Sequence, residues 1–292
     1  KVLNPEFAKN DTARQRFCRE GRAAAAISHE HVVSMYQVAR ESDGKIAYLV
    51  MQLIDGETLE SRLSRNAPIS AAEVARMGMQ IAAGLSAAHG RGMVHRDIKP
   101  ANVLIEKETE RIKLTDFGLA RAADDVKLTK TGMVTGTPLY MSPEQAMGSD
   151  ADEKSDLFSF GVVLYEMATG KSPFQAPSIV GVMKNVMDEN PEPPHRVNPA
   201  IPRKLSDVIM ALLEKKPDDR PESIHSVATV LAGIVTEFGP ISPLQVPAIN
   251  ANDAKRLSGK HRAIARRISY IALALAAIGL ITLGAVLGGW IF

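Results

Sequence analysis

Residues 95–102 read His95-Arg96-Asp97-Ile98-Lys99-Pro100-Ala101-Asn102, and fourteen residues beyond Asn102 stands Asp116-Phe117-Gly118, after a strand-like run at 112–115. Transfer of a phosphoryl group asks little covalent chemistry of a protein; it asks for positioning and charge neutralisation. A carboxylate must orient the attacking hydroxyl, oxygen ligands must hold Mg²⁺ against the phosphates, and a lysine must offset charge on the group in transit. Asp97, Asn102, Asp116 and Lys99 supply that set. Any one of these acids alone reads as a solvated loop carboxylate. Five fixed residues at H-R-D-x-K-x-x-N spacing, however, arise by chance in a chain this long on the order of once in ten thousand, before Asp-Phe-Gly is counted.

Composition narrows the alternatives. A chain of 292 residues, 45% hydrophobic and 23% charged, is globular rather than collagen-like, coiled-coil or wholly disordered. Residues 255–267 hold six Lys and Arg and no acid, and 268–292 hold no charge, which leaves 1–254 at −4 against a net +2 for the whole. The main domain therefore has no basic excess suited to nucleic acid, and no nucleic-acid partner is expected. The lone Cys18 excludes an internal disulfide and a Cys-based zinc site, and it fits a reducing compartment as a plain buried thiol. The chain begins without Met and inside an expected strand, so a fragment of a longer protein is expected.

Working outward, two apolar or alternating runs near 32–39 and 46–53 flank the turn-like Glu41-Ser42-Asp43-Gly44 and predict a hairpin. A helix is expected at 12–27 with Asp11 as N-cap, and further helices near 70–90, 153–169, 203–214 and 223–236. A small sheet-bearing piece followed by a mostly helical one predicts two lobes. Residues 237–254 contain three prolines without helical or alternating period and read as a linker. The uncharged run at 268–292, with Tyr270 and Trp290 near its ends, is long enough to cross a bilayer. Its basic flank at 255–267 predicts that the preceding domain lies on the cytoplasmic side of the cell membrane, with a single pass.

The motifs resemble those of the eukaryotic-like protein kinases, in particular their membrane-anchored bacterial serine/threonine members, over residues 1 to about 236. The resemblance implies an α+β, bilobal kinase fold with a partial N-lobe sheet and a complete helical C-lobe, to which the reading adds one transmembrane helix. The domains are then 1–236 for the kinase, lacking the strands of the Gly-rich loop, 237–267 for the linker and basic segment, and 268–292 for the membrane helix. It implies transfer of the ATP γ-phosphate to Ser or Thr of protein substrates, with Mg²⁺ or in its place Mn²⁺. Asp97 is then the catalytic base and Lys99 the γ-phosphate contact, while Asn102 and Asp116 are the metal ligands. Lys1-Val2-Leu3 resembles the end of the family's strand-three signature. That makes Lys1 the α/β-phosphate lysine and Glu20 its ion-pair partner. Met51 falls at the gatekeeper, Leu53 in the hinge beside Gln52, and Leu104 under the nucleotide.

The same resemblance extends to residues that build rather than react. Thr137 would brace Asp97, Glu144 in Ser142-Pro143-Glu144 would pair with Arg220, and Asp156 would hold the catalytic-loop backbone. Thr129 and Thr131 match autophosphorylation positions, and a phosphate there would bring roughly −1.5 to −2 charge to face Arg96. A homodimer would allow such phosphorylation in trans. Two departures stand out: the Gly-rich loop is absent from the sequence, and Ala24, four residues after Glu20, is smaller than the family's usual residue, so loose packing is expected there. The rival from another class is a membrane-bound pseudokinase or scaffold. The base, the Asp-Phe-Gly acid and the strand-three lysine are all filled, which favours the enzyme; a small-molecule phosphotransferase on the same fold is disfavoured by the segment from Gly136-Thr137-Pro138 to Ser142-Pro143-Glu144.

Deleting residues 268–292 is expected to move the protein to the soluble fraction, whereas the intact chain stays with membranes through alkaline carbonate washing. Extraction of the intact chain by carbonate would overturn the membrane assignment.

Overall fold

The computed structural model describes residues 1–2, 11–40, 47–117 and 138–239. Gly118, Thr129, Thr131, Thr137 and the segment 240–292 lie outside the described residues. Among those described, no helix is long and apolar enough to cross a membrane.

Helix α1 (Asp11–Ala25) turns Ala13, Phe17, Gly21 and Ala24 inward at helical spacing, with Cys18 also buried. It lies on an antiparallel pair, β1 (Met35–Arg40) and β2 (Ala47–Met51), and these are the strands of the expected hairpin. Gly21 permits the contact: a Cβ there would stand 2.8 Å from Leu49 and 3.2 Å from Val38. Phe17, Cys18, Ala47 and Leu49 form a small core of their own. Val2 bridges antiparallel to Tyr48, so the start of the chain lies along β2.

The larger core is helical. Helix α5 (Glu153–Thr169) buries all but three of its 17 residues, as a helix at the centre of a domain must. Against it pack α3 (Ala71–His89) and α8 (Arg203–Leu212), and α9 (Ile224–Glu237) packs in turn along α3. Close approach depends on glycine at both crossings: a Cβ on Gly78 would meet Leu164 at 2.8 Å, and one on Gly161 would meet Leu212 at 2.7 Å. The helices expected from periodicity are present, displaced by one or two residues at their ends. The sequence reading did not anticipate α2 (Leu59–Asn66) or α6 (Ile179–Asp188). Two single-turn helices, α4 (Pro143–Ala146) and α7 (Pro194–Val197), complete the set among the described residues.

A second sheet, β3 (Gly56–Thr58), β4 (Val103–Glu106) and β5 (Ile112–Leu114), runs antiparallel in that order. Arg62 ties its edge together, reaching Glu57 at 2.7 Å and Glu110 at 3.0 Å. The strand expected to start at residue 32 starts at 35, because Val32 pairs in parallel with Leu114 instead. Leu114 donates its N–H to His31 and accepts that of Val33, at 2.9 and 2.8 Å. This exchange joins the small core to the large one and fixes the strand that delivers Thr115 and Asp116.

Candidate functional site

Two loops meet beside that junction, one running from His95 to Asn102 and the other leaving β5 at Thr115. The first holds its own geometry. Lys99 donates from Nζ to both carboxylate oxygens of Asp97, at 3.0 and 2.8 Å. Asn102 donates from Nδ2 to the Asp97 carbonyl at 2.7 Å and to Asp97 Oδ2 at 2.9 Å. Both nitrogens of the cluster therefore face Asp97, and the Asn102 side-chain oxygen is directed elsewhere. The Asn102 carbonyl accepts the Thr115 N–H at 3.1 Å, which sets Asp116 against the first loop.

Asp116 has φ +68°, in the left-handed region that only a constrained non-glycine residue occupies. Lys1 Nζ lies 2.6 Å from Asp116 Oδ2. The sequence reading paired Lys1 with Glu20; the ion pair that the structure describes for Lys1 is with Asp116 instead. Glu20 is buried on α1. A four-carbon side chain with three donors reaches whichever carboxylate presents itself, and the strained turn at Asp116 presents one.

His95 is fully buried and both its ring nitrogens are engaged: Nε2 donates to the Thr115 carbonyl at 2.9 Å, and Nδ1 accepts the Asp97 N–H at 3.3 Å. Burial holds its pKa below the usual value, so the ring is neutral and rigid. It lies against Phe117, ring centroids 4.5 Å apart. Phe117, Met51, Met35 and Ala24 are among the residues that line a cavity of about 20 Å³. Leu104 is half-buried in β4, and Leu53 is 93% exposed.

The next layer grips the loop from below. Asp156, with no exposure, accepts the N–H of Arg96 on Oδ1 and that of His95 on Oδ2, both at 2.7 Å. Arg96 has φ +67°, and its carbonyl accepts from Gln145 Nε2 at 3.1 Å. Its guanidinium reaches the Ala151 carbonyl through Nε at 3.3 Å. Gln145 is itself fixed by a capping box with Ser142 at the start of α4. Glu144 and Arg220 form a two-pronged pair at 2.8 and 2.9 Å, and Ser155 donates to Glu144 at 2.6 Å. Arg220 also donates to the carbonyls of Lys154, Glu214 and Lys215, so its buried charge is fully satisfied. One contact in this layer escaped the sequence reading: His89 Nε2 lies 2.8 Å from Asp156 Oδ2. A histidine in the last turn of a helix signals only that a donor or cation suits that end.

The sequence profile described as the protein kinase domain matches residues 1–230. The chain is 38% identical over 250 residues to the serine/threonine-protein kinase PknA of Mycobacterium tuberculosis, covering 85% of this chain and 57% of that protein. It is 37% identical over 239 residues to PrkC of Bacillus subtilis, covering 82% and 36%, and 37% identical over 238 residues to a probable serine/threonine-protein kinase of Clostridium acetobutylicum, also covering 82% and 36%. The chain thus spans between about a third and three fifths of the length of these relatives. The crystal structure of the Mycobacterium tuberculosis PknI kinase domain matches with a TM-score of 0.62 at 26% identity, over 80% of this chain and 84% of that one.

Burial would raise the Glu144 carboxyl, but the hydrogen bonds from Arg220 and Ser155 prevail and hold it down at about 2. Its folded-state value lies below the usual 4.5, so the pair's stabilisation is present above pH 4.5 and is lost as pH falls towards 2. Arg220→Ala should cost about 3–5 kcal/mol at pH 7, since it strands a buried carboxylate. Urea unfolding will check this, and the deficit should shrink through the same acid window; an unchanged midpoint at pH 7 would refute the role.

Proposed function

This chain belongs to the protein kinase domain family, and on that footing we propose that it transfers the γ-phosphate of ATP to Ser and Thr hydroxyls of proteins. The observation that carries the reading is the convergence of Lys99 and Asn102 on the Asp97 carboxylate, with Asp116 set beside them through the Thr115–Asn102 hydrogen bond. Asp97 orients the incoming hydroxyl and takes its proton as oxygen bonds to the γ-phosphorus. The bond to the β-phosphate oxygen breaks and ADP leaves. Lys99, already on Asp97, offsets charge on the group in transit. Lys1, drawn to Asp116, stands for the α- and β-phosphates.

The donor chemistry fits a hard divalent cation: a carboxylate at Asp116 and an amide oxygen at Asn102 whose nitrogen is committed to Asp97. When bound, Mg²⁺ or Mn²⁺ neutralises charge on the phosphate oxygens. The serine/threonine kinases among the relatives support Ser and Thr as acceptors, and Lys99 agrees with that choice.

Two finer readings belong to the same proposal. The apolar run at 268–292 behind its basic flank supports a single-pass anchor with the kinase domain on the cytoplasmic face. Phosphate on Thr129 or Thr131, added in trans within a homodimer, would meet the Arg96 guanidinium and order the loop that precedes Ser142-Pro143-Glu144.

Asp97→Asn and Asp116→Asn in the full-length protein should each lower phosphate incorporation into a generic basic protein by about 100-fold or more. ATP affinity should suffer less from Asp97→Asn, which spares the metal ligands. Undiminished transfer in either variant would overturn the assignment.

A further inference from the structure

The turn that closes β4 onto β5 departs from its own local chemistry. The Glu110 N–H is donated to the Glu106 carbonyl at 3.0 Å, and the Glu106 N–H to the Arg111 carbonyl at 2.9 Å. Glu110 completes the turn at φ +52°, in the left-handed region. A short hairpin loop that ends this way favours glycine there, because a Cβ crowds the following carbonyl oxygen. This chain places a glutamate at that point.

Two arginines from different helices hold it. Arg62 on α2 forks onto the Glu110 carboxylate, donating from Nη1 to Oε2 at 3.1 Å and from Nη2 to Oε1 at 3.0 Å. Arg76 on α3 donates to the Glu110 carbonyl at 3.0 Å. Side chain and main chain of the strained residue are thus gripped separately. The fork is geometrically specific, and Arg62 is only 15% exposed, which sets the pair apart from an open surface bridge. Arg62 also donates from Nε to Glu57 on β3 at 2.7 Å, and Arg65 pairs with the same carboxylate. Burial would raise the Glu57 carboxyl, but the hydrogen bonds from Arg62 and Arg65 prevail and hold it below its usual value. Arg62 therefore ties the edge strand β3 to the far turn, across β4.

The hairpin so held carries both candidate metal ligands at its open end. Asn102 immediately precedes β4, and Asp116 follows β5 with only Thr115 between. The register pairs Val103 with Leu114, Leu104 with Lys113 and Ile105 with Ile112. Each of these rungs is counted from the turn. Were the turn to gain or lose one residue, Asp116 would move against Asn102 by one strand step, about 3.3 Å.

We propose that Arg62 is a positioning residue for the divalent cation: by holding Glu110 in the left-handed turn it fixes the register of β4 on β5, and with it the spacing of Asn102 and Asp116. The ion pairs of Arg62 are with Glu57 and Glu110, so its loss loosens the cation and spares the base. The metal half of this inference rests on the kinase reading; the mechanical half does not.

Glycine separates the two halves. In the full-length protein, Arg62→Met keeps the stem and removes the fork, and adding Glu110→Gly removes the strain that the fork restrains. Amide hydrogen exchange at positions 106 and 110 should quicken about fivefold in Arg62→Met, the scale of one left-handed residue released, and return close to the parent rate in the double variant. Binding of Mn²⁺ in the presence of ADP, read by electron paramagnetic resonance, should weaken about threefold or more in Arg62→Met and recover in the double variant. In turnover the KM for Mg²⁺ should follow the same pattern, with kcat within about twofold of the parent. An ion pair that only added stability would not be replaced by a glycine 48 positions away. Unchanged exchange in Arg62→Met, or a double variant no better than Arg62→Met, would overturn the proposal at its mechanical half. Quickened exchange with unchanged Mn²⁺ affinity would overturn its metal half. A parent that binds Mn²⁺ with ADP yet transfers no phosphate would sink the kinase reading and leave the role of Arg62 standing.

Discussion

The site rests on one carboxylate removed from water. Asp156 has no exposure, and a charge so placed is tolerable only when donors surround it. Two of its donors are the backbone N–H groups of His95 and Arg96, so the demand that stabilises the acid also fixes a turn that would otherwise relax. The energetic need of a helix residue becomes the geometry of a loop some sixty residues earlier. Gln145 holds the next peptide by donating to the Arg96 carbonyl, and the Glu144–Arg220 pair anchors the helix that carries Gln145. The loop from His95 to Asn102 is therefore clamped from N–H and from C=O by two elements that are distant in sequence.

Much of this was legible beforehand wherever chemistry and spacing coincide. The loop motif marks Asp97, Lys99 and Asn102 because they lie within six residues of one another, and the structure brings them together through local hydrogen bonds. Helical periodicity marks α1, α3, α5, α8 and α9 because each buries one face or all of itself. What escaped has physical reasons. Strands β3 and β4 have three and four residues, too short for alternation to register, and they exist through pairing with each other and with β5, whose run at 112–115 did read as a strand. Helix α2 has only eight residues and owes its start to the Thr58 cap.

Side-chain partnership was the least legible layer. Glu144 and Arg220 are 76 positions apart, and only the resemblance to a family joined them in advance. The partner of Lys1 was misplaced because a flexible ammonium chooses among nearby carboxylates by a few ångströms of backbone. The strained turn at Asp116, invisible in the sequence, decides that choice. His89 went unnoticed for a related reason: its value lies in a buried oxygen 67 residues ahead.

The most direct measurement of the central claim is the kcat of Asp156→Asn in the full-length protein, read beside its far-ultraviolet circular dichroism. The substitution keeps the shape of the side chain but turns one acceptor into a donor facing a backbone N–H. The account predicts unchanged helix content with kcat lowered about tenfold or more, because the His95–Arg96 peptide loses its hold. A folded Asp156→Asn protein transferring phosphate at the parent rate would contradict it.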